Sequence, residues 1–251
     1  QRSGGAGVRL ILSASSDVPH LFVNGSNANS APVFRGLRYQ ELSGGFWGRR
    51  VLSPLTMAWQ LARDRLFASP DLAFDLRRML PHLDKEATTT PTTAVLEELA
   101  ALAASDNVPV RPHWTADLLH WRFFHAEGPP HLLLVQRSPA GAIQHALIAT
   151  VGLQHGLHVL RPVLHLGDGT LLRTHSAPAL VRAAKRAGVH VMAVFAWGKT
   201  EADVWRTLGC RPRTDTPGTF FQHKRRSDAE HFVQVRVPAS ASDLGFDAIV
   251  A

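Results

Sequence analysis

Apolar positions along the chain fall into two rhythms, and their order predicts a mixed α/β protein. Alternating or short continuous apolar runs at residues 20–23, 41–47, 50–52, 131–137, 143–151, 156–166, 189–196, 219–224 and 232–237 predict strands. Apolar residues three and four apart predict helices over 5–13, 31–37, 55–68, 71–79, 94–104, from Thr115 through Phe123, and over 177–187 and 201–208. Start and stop residues agree with these bounds: Ser30 and Pro32 open one helix and Ser53-Pro54 another, while Gly188 and Gly209 stand where two should stop. In the helix over 55–68 the stripe is Leu55, Trp59, Ala62 and Leu66. The run TTTPTT at 88–93 is polar punctuation and predicts a loop or linker.

Composition narrows the class. With 251 residues, 45% hydrophobic and 19% charged, the chain can bury a real core, and disorder is excluded. Its single cysteine, Cys210, excludes an internal disulfide and a thiolate zinc site, and its place at a helix end predicts a buried, inert thiol. No apolar run reaches the roughly 18 residues of a membrane span, and a cytoplasmic protein is expected. The net charge of +7 raises the question of nucleic acid, but Arg77-Arg78, residues 182–186 and residues 224–226 are scattered and carry no interleaved aromatic residues. Solvated helix faces or an anionic ligand account for them better, and no nucleic-acid partner is expected. Fourteen histidines show no HxxxH beside a carboxylate, so no metal is expected; His155 and His158 have spacing that suits a hairpin.

The amino end carries the sharpest chemistry. QRSGGAGVRLI has the makings of an anion cradle, since successive N–H groups of a glycine-rich turn converge and the following helix adds its positive end. Arg2, Gly5 and Gly7 fit RxxGxG, Gln1, Gly4 and Ala6 fit QxxGxA, and the apolar pair Leu10 and Ile11 follows. This resembles the [QR]xxGx[GA] pyrophosphate loop of the GNAT superfamily of acyl-CoA N-acyltransferases. Downstream, Asn27, Ser30, Val33, Phe34, Leu37 and Tyr39 are similar to the GNAT segment NxxAxxLYxxxGF. The resemblance implies that Arg2, Ser3, Gly4, Gly5, Ala6 and Gly7 hold the cofactor's pyrophosphate, that Asn27 bonds its pantetheine arm, and that Phe34 lies by its thiol end.

The chain departs from that pattern in two places. Phe34 stands where many members have a tyrosine that protonates the leaving thiolate, and a phenyl ring has no proton to give. Arg38 stands where the family usually has glycine. A GNAT unit also places four strands and two helices before its loop, so the resemblance implies a first unit incomplete at its N-terminus, completed by a preceding segment or a second chain. The general acid and base stay unassigned.

Residues 94–251 follow the GNAT order of elements as a whole unit, without its cofactor motifs. GDGTLLRTHSAP at 167–178 lacks the glycine turn and has Pro178 where a small residue is expected, and GKTEADVWRTLGC at 198–210 has Gly198 for asparagine and Trp205 for tyrosine. The expected organisation is two GNAT-like units with mixed sheets flanked by helices: 1–54 the C-terminal part of a first unit, 55–93 a helical bridge and linker, 94–251 a second, degenerate unit. The stretch Asp117 to Phe123 resembles a DxLxWRF motif of tandem GNAT proteins, in which Trp121 and Phe123 would line a cleft and Arg122 would pair with an anionic acceptor or Asp117.

The implied activity is direct transfer from acetyl-CoA or another acyl-CoA to a small-molecule or peptide amine. Two alternatives stand beside it: a non-catalytic acyl-CoA-binding protein, and an aminoacyl-tRNA-dependent transferase of the tandem kind.

Overall fold

The computed structural model describes residues 9, 12–13, 20–26, 30–42, 45–66, 73–83, 86–105, 113–212 and 219–224. The strands are β1 (His20–Ser26), β2 (Gln40–Leu42), β3 (Gly45–Val51), β4 (Leu132–Arg137), β5 (Ile143–Gln154), β6 (Leu157–Gly167), β7 (Val191–Trp197), β8 (Arg211–Pro212) and β9 (Thr219–Lys224). The α-helices are α1 (Ala31–Gly36), α2 (Pro54–Leu66), α3 (Thr93–Ser105), α4 (Ala116–Leu119), α5 (Gly169–Leu171), α6 (Ala177–Arg186) and α7 (Lys199–Thr207). The expected strand over 232–237 lies outside the described residues.

A six-stranded mixed sheet, β4-β5-β6-β7-β3-β8, forms the centre. Its period-two pattern sorts apolar side chains to two faces. On one, Leu132, Leu134, Leu147, Ala149, Met192, Val194 and Ala196 pack with Leu180, Ala183 and Ala184 of α6 and Ala202, Val204 and Trp205 of α7. On the other, Leu133, Val135, Ala146, Ile148, Leu164 and Leu166 meet Leu96, Leu99 and Ala103 of α3, with Leu119 and Phe123. The basic residues Arg182, Lys185 and Arg186 are the solvated face of α6.

A three-stranded sheet, β1-β9-β2, completes the described strands. Together the two sheets show a reciprocal exchange. The elements β1-α1-β2-β3 repeat as β7-α7-β8-β9, and each repeat's last strand lies between the first two strands of the other: β3 between β7 and β8, β9 between β1 and β2. The helix ends match bond for bond. Leu37, Arg38 and Tyr39 donate their N–H groups to Val33, Arg35 and Phe34 carbonyls, as Leu208, Gly209 and Cys210 do to Val204, Arg206 and Trp205. The middle residue of each triplet sits at positive φ, 80° for Gly209 and 62° for Arg38. The arginine thus takes the left-handed conformation that glycine adopts without steric cost.

Two expectations need correction, the helix over 71–79 and the cleft of Trp121 and Phe123. The helix expected over 71–79 is a 3₁₀ helix, Leu76–His82, opened by the Asp75 carboxylate accepting the Arg77 N–H at 3.0 Å; Pro81 inside it has no N–H for an α ladder. In the TTTPTT run, expected as a loop or linker, Thr88 exchanges backbone hydrogen bonds with Leu133 on β4 and the Thr92 hydroxyl accepts from Val95 at the head of α3. On α2 Leu55 is 85% and Trp59 71% exposed, while Met57 and Gln60 are half-buried. Trp121 and Phe123 do not share a cleft, for a π-helical turn over His120–Phe124 leaves Trp121 63% exposed and Phe123 in the core.

Candidate functional site

The site begins with a proline inside a strand. β6 pairs with β5 along its length, but the register jumps from Ile148 opposite Leu164 to Ala149 opposite Pro162, leaving Val163 out of the ladder. Proline has no N–H to give a central ladder and is found within sheets at edges and bulges. On its other side β6 runs parallel to β7, in register only at Val159 opposite Val191 and Leu160 opposite Met192. Beyond these pairs β6 continues to Gly167 and β7 to Trp197, and among the described residues no further register joins the two.

The strands therefore part inside the sheet. Along the parting Arg161, Pro162, Leu164, His165 and Leu166 on β6 and Ala193, Val194, Phe195 and Ala196 on β7 are buried, Val163 and Trp197 are half-buried, and Gly167 is exposed. The carboxyl ends of both strands, where α/β sheets hold ligands, lie beyond this parting, at Gly167 and Trp197. Near its apex Arg161 donates to the Gln154 side-chain carbonyl at 3.1 Å. An aromatic row, Trp47 at 4.4 Å from Phe195 and Phe195 at 6.3 Å from Trp197, lies along the β3–β7 side.

At the end of β6 the chain turns into α5. Gly167 serves the strands there, because with φ at +82° a Cβ would stand 2.2 Å from the Gln144 carbonyl oxygen. The next residue, Asp168, accepts the Thr170 N–H at 2.7 Å on its carboxylate and the Leu172 N–H at 3.2 Å on its carbonyl. The chain continues through a π-helical turn, Leu172–Ser176, into α6 with Pro178 in its first turn. A turn whose leading amide is already held by a carboxylate is a poor seat for a diphosphate, which would add charge of the same sign. The residues of this junction do not fit a CoA pyrophosphate.

Beneath the junction lies a buried histidine pair, His145 on β5 and His165 on β6, ring centroids 5.0 Å apart. Neither ring nitrogen of His145 has a hydrogen-bond partner. Burial pushes its pKa down to about 4, against an opposing pull from Asp168 and with a smaller push from His175. His131, packed against Phe123 and Phe124, is lowered by burial as well. Burial raises the Cys210 thiol to about 12, which makes it unreactive. Among the described residues no cluster of three or more His, Cys, Asp or Glu could hold a metal ion.

Of the residues singled out by sequence, Arg2, Ser3, Gly4, Gly5, Ala6, Gly7 and Asn27 lie outside the described residues. Arg9, Leu12 and Ser13, just after the glycine run, are helical. Phe34 is buried in α1, 5.4 Å from Tyr39 in an edge-to-face pair. Sequence reasoning missed the β6–β7 parting; Pro162 inside an expected strand signals only the bulge against β5.

No family model and no curated protein matches the sequence. The structure does have solved counterparts. Saccharomyces cerevisiae N-myristoyltransferase, solved with myristoyl-CoA and inhibitors bound, superposes with a TM-score of 0.54 at 13% identity over 89% of this chain and 57% of that one. A probable N-acyltransferase of Enterococcus faecalis superposes with a TM-score of 0.51 at 12% identity over 86% of this chain and 47% of that one. The chain shares its fold with these two proteins. The chain spans about half the length of these proteins.

Proposed function

We propose that the chain is an acyl-CoA-dependent N-acyltransferase that acts on an amine acceptor by direct transfer. The observation that carries this reading is an N-acyltransferase fold whose central sheet opens between two parallel strands. In this reading residues 1–54 and 94–251 belong to two GNAT-like units joined by a helical bridge. The matching helix ends and the reciprocal placement of β3 and β9 support that division.

Arg2, Ser3, Gly4, Gly5, Ala6 and Gly7 would hold the pyrophosphate of acetyl-CoA or another acyl-CoA, and Asn27 its pantetheine arm. The cofactor supplies a thioester: the acceptor's N–C bond forms as the C–S bond breaks, and the proton lost by the amine ends on sulfur. The chain's contribution is to hold two partners in one complex, where positioning alone gives a large share of the acceleration. Phe34 has no proton to donate, so a second reading, a binding protein without turnover, stands beside the first.

Calorimetry with acetyl-CoA and with a long-chain acyl-CoA, followed by thiol release against a panel of amines, separates the two. Gly5→Trp is expected to abolish CoA binding under both readings, and unchanged affinity in that variant defeats the loop assignment.

A further inference from the structure

We propose that the end of the central sheet opposite Gly167 and Trp197 is a docking surface for a bilayer of anionic phospholipid. Several elements meet at that end. β3 finishes at Val51, opposite Val191, the first residue of β7. The Leu52 and Ser53 N–H groups donate to the His190 carbonyl, so α2 starts beside the entry to β7. α6 finishes there too, two residues before Gly188, and the 3₁₀ helix adjoins it, since a Cβ on Gly188 would stand 4.0 Å from the Arg78 guanidinium. The first observation is the bareness of α2. It is 13 residues long, a length at which a helix without packing is marginal in water. Yet over 54–63 only Met57 and Gln60 are half-buried, and every other residue is exposed. Leu55 is 85% and Trp59, one turn on, 71% exposed, and Val51 just before the helix is 43% exposed.

The second observation is charge. Arg78 on the 3₁₀ helix and Lys185 and Arg186 in the last turn of α6 are exposed, and exposed Arg49 on β3 stands directly opposite exposed Arg211 on β8. Among the described residues none of these cations is in an ion pair. Like charges facing each other across a strand pair destabilise it, so a partner that brings negative charge relieves a cost the free protein carries. Leucine and tryptophan side chains on the same end as unpaired cations suit an anionic lipid interface, where the apolar groups enter the headgroup boundary and the cations meet phosphate. A second copy does not fit, because a two-fold contact through this end would set the same cations against one another. Nucleic acid fits less well: the cations come from β3, β8, α6 and the 3₁₀ helix, spread over a face instead of along a groove, and Val51 and Leu55 offer no ring for a base to stack on.

The test is flotation of the whole chain with vesicles of phosphatidylcholine alone and of phosphatidylcholine with phosphatidylserine at about three parts in ten, in about 0.1 M salt. Binding to the anionic vesicles is expected to be about tenfold or more tighter than to the neutral ones, and to weaken at about 1 M salt. The double variant Leu55→Ser, Trp59→Ser, with both changes on exposed positions, should keep its circular dichroism and bind about tenfold or more weakly. Arg186→Glu should lower binding about tenfold or more. Arg173→Glu makes the same change in net charge in the turn at the other end of α6, and should leave binding within about twofold. No binding to anionic vesicles, equal binding to both compositions, full binding in the folded double variant, or equal losses in the two charge reversals overturns the proposal. A dimer that the double variant splits, or binding of a mixed-sequence RNA with none to vesicles, overturns it in favour of that partner.

Discussion

Acid should unfold this protein partly through one residue, His145. Its ring is fully buried, neither nitrogen has a hydrogen-bond partner, and its pKa falls to about 4 from an ordinary 6.5. A depressed folded-state value means that the unfolded chain binds the proton more readily. The contribution is therefore whole above about pH 6.5 and is lost as pH falls toward 4. Linkage between those two values gives a loss of about 2 kcal/mol by pH 5 and about 3 kcal/mol by pH 4 from this side chain alone. That is a large part of a typical domain stability of about 5–15 kcal/mol. His131 shifts in the same direction and steepens the fall. Urea denaturation of the wild type and of His145→Phe at pH 7.5, 6, 5 and 4 measures the effect. The variant starts less stable if the larger ring crowds its site, but its profile should be flatter by one titrating group. Parallel profiles would refute the assignment.

Further outcomes follow from particular contacts. Gly167→Ala should cost about 3 kcal/mol or more, since the new methyl meets the Gln144 carbonyl, while Gly169→Ala, with no atom within 4 Å, should stay within about 1 kcal/mol in the same urea assay. Arg38→Gly should raise the urea midpoint by about 1 kcal/mol in stability, because it relieves a side chain held at a φ of 62°; a drop would mean that the arginine's own contacts outweigh its backbone cost. Cys210 should react with a disulfide reagent at pH 8 only at the rate of opening, and rapid labelling of the native protein would contradict its burial. Ending the chain after residue 212 should release amide protection in 20–26 and 40–42, which pair through β9, while 132–154 keeps its protection.

The elements of this fold were largely legible in the sequence because period is a local property. The alternations at 143–151 and 156–166 became β5 and β6, the spacing of Leu96, Leu99 and Ala103 became the buried face of α3, and Gly209 marked the end of α7. Partner choice was not legible. Nothing local to residues 45–51 says that they pair with residues some 145 positions away, since an alternating strand satisfies any neighbour with a matching face. The exposure of Leu55 and Trp59 on α2 was not legible for a related reason: periodicity shows that a helix has an apolar face, without showing what covers it. For the candidate site, Pro162 was a visible clue to the bulge, but the parting of β6 from β7 depends on a pairing that the sequence does not display. The glycine-rich segment was legible as a motif, and its role remains a matter for the calorimetry proposed above.

The reciprocal placement of β3 and β9 has a consequence for how the molecule is made. Because β9 is the middle strand of the small sheet, β1 and β2 have no common neighbour until synthesis passes residue 224, and a nascent chain must keep its early segments available while most of the sequence is still to come. Contacts at such long separations make assembly slow. They also make it mutual: each sheet is finished by a strand that the other repeat supplies, β3 in the large one and β9 in the small one.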